Sequence, residues 1–264
     1  MRHRIAVLVT AGAAATVVAT LAACGSTELV CQGPKQHVTV LPFTSPSDVV
    51  VSREVAPRVA DQRAPEVAGS CGSVATGIVD GSPGAHLVIT AHELDTREDV
   101  RVPNRKPFVR KMEREIRSFL EERMLTPLEE TDPSPGSPFL GTLAKVSQET
   151  VDHQRPRGTV ILIGDSIARE RTPSGERLDF RQPVPAERLE EFVPLLSGLA
   201  GHCVLLIGQG GVGGPRPPDD TTLRAAREML ARTLDEVGAG FASTRSSDLP
   251  PDCGRGTSSE VADP

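Results

Sequence analysis

Thr159-Val160-Ile161-Leu162-Ile163 decides the fold. A run that is almost wholly apolar is what a central strand of a parallel sheet requires, because helices cover both of its faces. Moving outward, Val204 to Ile207 repeats the pattern, and Val38 to Leu41 reads as a further buried strand bounded by Pro42. Between these runs the apolar residues recur at helical spacing. Val51, Val55 and Val59 form one such stripe, and Phe108, Met112, Ile116, Phe119 and Leu120 another. Phe139, Leu143, Val146 and Thr150 form a third; Leu189, Phe192, Leu196 and Leu199 a fourth; Leu223, Ala226, Leu230, Leu234 and Val237 a fifth. Strands alternating with amphipathic helices specify an α/β fold, doubly wound, with a mostly parallel sheet. Val74 to Val79 and Leu87 to Thr90 are joined by the turn-rich Asp80-Gly81-Ser82-Pro83-Gly84, too short for a parallel crossover, so these two strands are expected to form an antiparallel hairpin. Phe241 to Ser243 is a weak edge strand.

The amino terminus sets the compartment. Met1-Arg2-His3-Arg4 precedes an apolar run from Ile5 to Ala19, and Leu21-Ala22-Ala23-Cys24 follows. This segment resembles the leader and lipobox of bacterial lipoproteins. The resemblance implies a signal peptide over residues 1–23, a diacylglycerol and an amide-linked acyl chain such as palmitate on Cys24, and anchoring to the outer face of the cytoplasmic membrane. A short linker then spans 24–36, one domain 37–245, and a Pro-, Gly-, Ser- and Asp-rich tail 246–264, loose except where Cys253 holds it.

Composition narrows the partners. Without Arg2 and Arg4 the formal charge passes from -6 to -8, which disfavours nucleic acid and implies that acidic lipid surfaces repel the protein. Trp and Tyr are absent and the seven Phe are scattered, so the aromatic platforms that hold sugars and bases are missing. Arg far outnumbers Lys, the mark of a GC-rich coding background and an actinobacterial source. Four cysteines follow Cys24. In an oxidising compartment they read as two disulfides, and of three connectivities Cys31–Cys71 with Cys203–Cys253 is favoured, since each pair brackets a compact stretch beside a strand start or the tail.

The loops after the strands carry the candidate site. They are Phe43-Thr44-Ser45-Pro46-Ser47 after the first strand, Gly136-Ser137-Pro138 before a helix, and Gly164-Asp165-Ser166 after the central strand. Together with the order of elements these stretches resemble a von Willebrand factor A domain over Val38 to Ala242. That family builds a metal-ion-dependent adhesion site from Asp-x-Ser-x-Ser, a Thr and a later Asp. The resemblance implies Ser45, Ser47, Ser137 and Asp165 as the corresponding residues, with Phe43 where the first Asp stands and Ser137 where Thr is usual. Losing a carboxylate leaves a hard cation with too little negative charge, so the site is degenerate and no cofactor is expected, with weak Mg2+ or Mn2+ binding as the alternative. Asp48 substitutes only if the loop turns its side chain inward. Ser47 and Ser137 also read as helix caps, Ser45-x-x-Asp48 as a capping pattern, and Arg169, Glu170 and Arg171 as solvated rim.

Two stretches resemble catalytic or nucleotide-binding motifs. Gly164-Asp165-Ser166 is similar to the motif of GDS hydrolases with Ser166 as nucleophile, but the downstream Asp-x-x-His is lacking and His202 is preceded by Leu199. Gly208-Gln209-Gly210-Gly211-Val212-Gly213 fits a dinucleotide pattern, but Pro215, Pro217 and Pro218 separate it from the next helix. His86 and His92 are turn or surface histidines. The expectation is a non-enzymatic, lipid-anchored binding or assembly module of the cell envelope. It meets the membrane through Cys24, has an envelope protein as partner, and takes neither nucleic acid nor nucleotide. A divalent-cation-dependent adhesion module is the alternative, and a hydrolase using Ser166 a more distant one.

Overall fold

A computed structural model describes residues 27–81, 87–94, 100–134, 136–164, 169–180, 182, 184–208, 219–244 and 253. The leader, Cys24, His86, Asp165, Ser166, the glycine run after Gly208 and the tail around Cys253 lie outside the described residues.

The elements alternate as the apolar pattern requires. In chain order they are β1 (Glu28–Leu29), β2 (His37–Pro42), α1 (Asp48–Ser70), β3 (Ser73–Thr76), β4 (Thr90–Glu93), β5 (Arg101–Val102) and α2 (Lys106–Leu120). A π-helical turn (Glu121–Leu125) leads into α3 (Thr126–Glu130), followed by α4 (Phe139–Asp152), β6 (Thr159–Ile163), β7 (Arg169–Arg171) and β8 (Arg177–Asp179). Then come α5 (Ala186–Glu190), a 3-10 helix (Val193–Leu199), β9 (Cys203–Ile207), α6 (Asp220–Glu236) and β10 (Gly240–Thr244).

Six strands form one mixed sheet in the order β10-β9-β6-β2-β3-β4. Every neighbouring pair in it is parallel except β3 with β4. The order reverses between β2 and β6, where the chain leaves one half of the sheet to build the other. A reversal of this kind opens a crevice at the carboxyl ends of the strands.

Two apolar layers sandwich the sheet, which is why β6 and β9 are apolar on both faces. Val38, Val40, Ile161, Ile163, Leu205 and Ile207 pack toward α1, with α2 alongside. Leu41, Val160, Leu162, Val204 and Leu206 pack toward α4, the 3-10 helix and α6. Two glycines mark close approach where strands begin: a Cβ at Gly72 would lie 1.8 Å from the Gln36 carbonyl oxygen, and one at Gly158 2.1 Å from that of His37.

Several boundaries differ from the sequence reading. The antiparallel partner of β3 is Thr90–Glu93 rather than Leu87 to Thr90, so His92 lies within the strand, its Nε2 2.9 Å from Glu115 Oε1. Pro127 does not end α2's course; the π turn just before it carries the helix on to Glu130, with Pro127 the second residue of α3. The stripe from Leu189 to Leu199 is a short α-helix plus a 3-10 helix, broken at Glu191-Phe192, with Pro194 in the first turn of the 3-10 helix. Within the stretch read as a linker, β1 pairs antiparallel with β5. The two disulfides are Cys31–Cys71 and Cys203–Cys253.

Candidate functional site

Loops from four elements meet at the carboxyl edge of β2 and β6. The sheet ladder runs on past the strand ends through Phe43 N–H to the Ile163 carbonyl (2.9 Å), Gly164 N–H to Ile207 (2.9 Å) and Gly208 N–H to Thr244 (3.0 Å). Helix α1 is pinned over this edge by Ser52, whose hydroxyl reaches the carbonyls of Phe43 (2.8 Å) and Ile163 (3.0 Å).

Asp48 is the centre of the cluster. It is fully buried at the start of α1, and its Oδ2 accepts hydrogen bonds from Ser45 Oγ and Ser137 Oγ, both at 2.5 Å. Ser47 Oγ lies 3.1 Å from Ser45 Oγ. Three of the four residues singled out from sequence are thereby brought together, around a carboxylate that the sequence offered only as a substitute. Asp165, the fourth, follows Gly164 in the chain but is not among the described residues. Gly164 itself is close: a Cβ there would lie 2.9 Å from Asp48 Oδ1 and 3.2 Å from the Phe43 Cβ.

The capping roles are redistributed. Ser47 makes no side-chain cap; Ser45 Oγ instead accepts the Asp48 N–H at 3.3 Å. Ser137 does not cap α4, because its hydroxyl is turned to Asp48. The first turn of α4 is served by Glu170, which was read as solvated rim and is buried. Its Oε1 accepts from Leu140 N–H (3.1 Å) and its Oε2 from Gly141 N–H (2.9 Å). Burial pushes this carboxyl up to about 7, against the downward pull of the two N–H bonds.

Thr44 and Ser134 complete the edge, and the sequence reading missed both. Thr44 Oγ1 donates to the Val79 carbonyl (3.1 Å) and lies 3.3 Å from Ser134 Oγ. Ser134 N–H bonds the Thr44 carbonyl (2.9 Å), and its Oγ accepts from Gly81 N–H (3.1 Å). The only signal for this pair was the repeated Ser in a Pro-rich loop. Phe43 is buried with Leu41, Val79 and Phe139 in the layer facing α4.

These donors do not suit a resident hard cation. Among the described residues no group of three or more His, Cys, Asp or Glu side chains is arranged to hold a metal ion. Two hydroxyls in the cluster already donate to its one described carboxylate, whereas Mg2+ demands several oxygen ligands and enough negative charge to offset its dehydration. His202, the histidine downstream of Ser166, sits just before β9 at the opposite edge, about 20 Å along the strand from Gly208. Burial lowers its pKa. No family model matches the chain, and no curated protein matches it.

Proposed function

We propose that this protein is a lipid-anchored binding or assembly module of the cell envelope, held by Cys24 to the outer face of the cytoplasmic membrane. Its domain is von Willebrand factor A-like, and it docks a protein partner through the loops at the carboxyl edge of the sheet. The observation that carries this reading is the convergence of Ser45 and Ser137 on the buried Asp48 carboxylate, with Ser47 against Ser45, at the point where strand order reverses. There the family's metal is replaced by a hydrogen-bonded lock that fixes the loops as a preformed rim. Val50, 61% exposed on the first turn of α1, offers that rim an apolar contact. No turnover is proposed.

A second reading, cation-dependent adhesion, draws on one feature only: Asp48 supplies a carboxylate near the place where Phe43 withdraws one. Calorimetric titration with Mg2+ and Mn2+ separates the two. The lock reading expects no saturable heat from the parent chain. Saturable binding abolished by both Asp48→Ala and Asp165→Ala would establish the cation reading in its stead. The docking claim is tested with a photo-crosslinking residue at Val50 and another at Val151, an equally exposed position at the end of α4. A single partner captured from Val50 and not from Val151 is the expected result, and equal capture from both would refute docking at the carboxyl edge.

A further inference from the structure

We infer that the amino-terminal half of α2 is a membrane-docking surface for anionic phospholipid, so that the domain rests on its amino edge and turns its carboxyl edge away from the bilayer. The inference rests on the reading of Cys24 as the lipid attachment site and adds an orientation to it.

Three observations converge. The first is charge that the fold does not use. From Arg101 to Arg114 the chain has six basic residues and one acidic residue, Glu113, which is paired with Arg117. Arg105 is consumed structurally, donating to the carbonyls of Val30 (2.7 Å) and Gly69 (2.6 Å). Arg101, Lys106, Arg110, Lys111 and Arg114 are exposed and make no ion pair among the described residues. Four of them occupy the first nine residues of α2, whose first turn has no acid, although a helix amino terminus favours anions. They oppose the helix dipole and therefore do not serve the stability of α2. From Glu115 to Glu130 the balance reverses to five acidic and two basic residues.

The second is apolar exposure in the same place. Phe108 is 46% exposed on the first turn of α2, and Leu29 is 37% exposed on β1, which pairs with β5 immediately before α2. The third is the length of chain to the anchor. Four peptide units separate Cys24 from Glu28, so the acylated residue lies within about 14 Å of β1. The first nine residues of α2 extend about as far, roughly 14 Å. Because Arg105, at the start of α2, bonds the Val30 carbonyl just after β1, the chain from the anchor enters the domain beside the patch.

The chain's net negative charge does not oppose this. At physiological ionic strength charges beyond about 8 Å of the surface are screened, so the bilayer responds to the local patch. The acidic continuation toward α3 is repelled, which tilts the helix with its basic end down. Helix α1 runs antiparallel to α2, from the carboxyl edge at Asp48 to the amino edge at Ser70. Its 23 residues span about 34 Å, and they hold the Asp48 cluster well clear of the headgroups.

The chain has no Trp, so Phe108→Trp introduces a single reporter at an exposed position. The chain purified from envelopes is reconstituted into vesicles of phosphatidylcholine alone or of phosphatidylcholine with phosphatidylglycerol. Indole emission and iodide quenching are then read. The expected result is a blue-shifted, shielded indole only with phosphatidylglycerol. Arg110→Gln/Lys111→Gln/Arg114→Gln in the same background should lower the docked population about a hundredfold, at roughly fivefold per charge. A Val50→Trp reporter stays open to iodide in both vesicles. Equal quenching at position 108 in the two compositions, or shielding that survives the triple change, overturns the inference. The mass of the amino-terminal peptide from the same preparation reads acylation separately. An unacylated chain still held by its leader would sink the anchor reading and leave the charge comparison valid.

Discussion

Replacing Asp48 with Ala isolates the lock. The change removes the acceptor of two short hydroxyl bonds, from Ser45 and Ser137, in a fully buried place. Hydrogen bonds to a charged group contribute about 1.5 to 3 kcal/mol each. Two of them give about 3 to 6 kcal/mol, from which relief of carboxylate burial subtracts a few, so a net loss of about 2 to 4 kcal/mol is expected. Asp48→Asn is a graded control. Both hydroxyls meet at Oδ2, and a single amide oxygen has two lone pairs, so Asn keeps both acceptors without the charge and should lose about half as much. Urea unfolding followed by far-ultraviolet circular dichroism measures both, since the chain has no Trp to report by fluorescence. The losses should be the same with and without Mg2+. An Asp48→Ala chain within about 0.5 kcal/mol of the parent would refute the lock, because deleting it would then resemble an ordinary surface change. A loss seen only when Mg2+ is present would refute it too, by assigning the stabilisation to a bound ion.

Other perturbations probe the neighbouring contacts. Gly164→Ala drives a methyl to 2.9 Å from Asp48 Oδ1 and should cost about 1 to 3 kcal/mol by the same unfolding assay. Phe43→Asp inserts a charge into the layer facing α4 and should cost more than about 3 kcal/mol with or without Mg2+. The folded Glu170 keeps its proton up to about 7, whereas the unfolded chain releases it near 4.5, so stability falls as pH rises between those values, by about 3 kcal/mol in all. Glu170→Gln should flatten that slope in a series of melts across the window. Opening the Cys203–Cys253 bridge, which spans 50 residues, should cost up to about 4 kcal/mol, measured by melting with and without reductant against a Cys203→Ala/Cys253→Ala control.

What was legible in the sequence was what side-chain burial alone controls. Thr159 to Ile163 and Val204 to Ile207 are apolar on both faces because helices cover both, and that property is written in consecutive residues. The cysteine pairing was legible for a related reason, since each pair closes a compact segment next to a strand start. Polar assignments fared worse, because a serine or carboxylate carries no record of which loop will face it. Ser137 looked like a cap on local grounds, but its hydroxyl crosses 89 residues to Asp48. Glu170 sits between two arginines and looked solvated, yet it closes the amino end of a helix 29 residues upstream. The π turn at Glu121 was also invisible. Pro127 reads locally as a helix stop, but the wider turn just before it shifts the hydrogen-bond register and the helix runs on through it.

The amino edge explains why so short a strand as β1 needs covalent support. A load on the proposed anchor at Cys24 would enter the domain through Glu28–Leu29, a two-residue strand that among the described residues pairs with β5 alone. Pulled from its end, such a ladder breaks one bond at a time, and it has little to resist with. Two features stop the peeling. Arg105 grips the Val30 carbonyl from the start of α2, and one residue further on the Cys31–Cys71 bridge fastens the chain to the end of α1. Beyond residue 31 the force no longer unzips a strand but acts along α1, whose other end is tied by Ser52 to the strand ends beneath the Asp48 cluster. The bridge would thus couple the proposed membrane tether to the proposed rim on the opposite edge as one body, a connection that hydrogen bonds at β1 alone would not maintain.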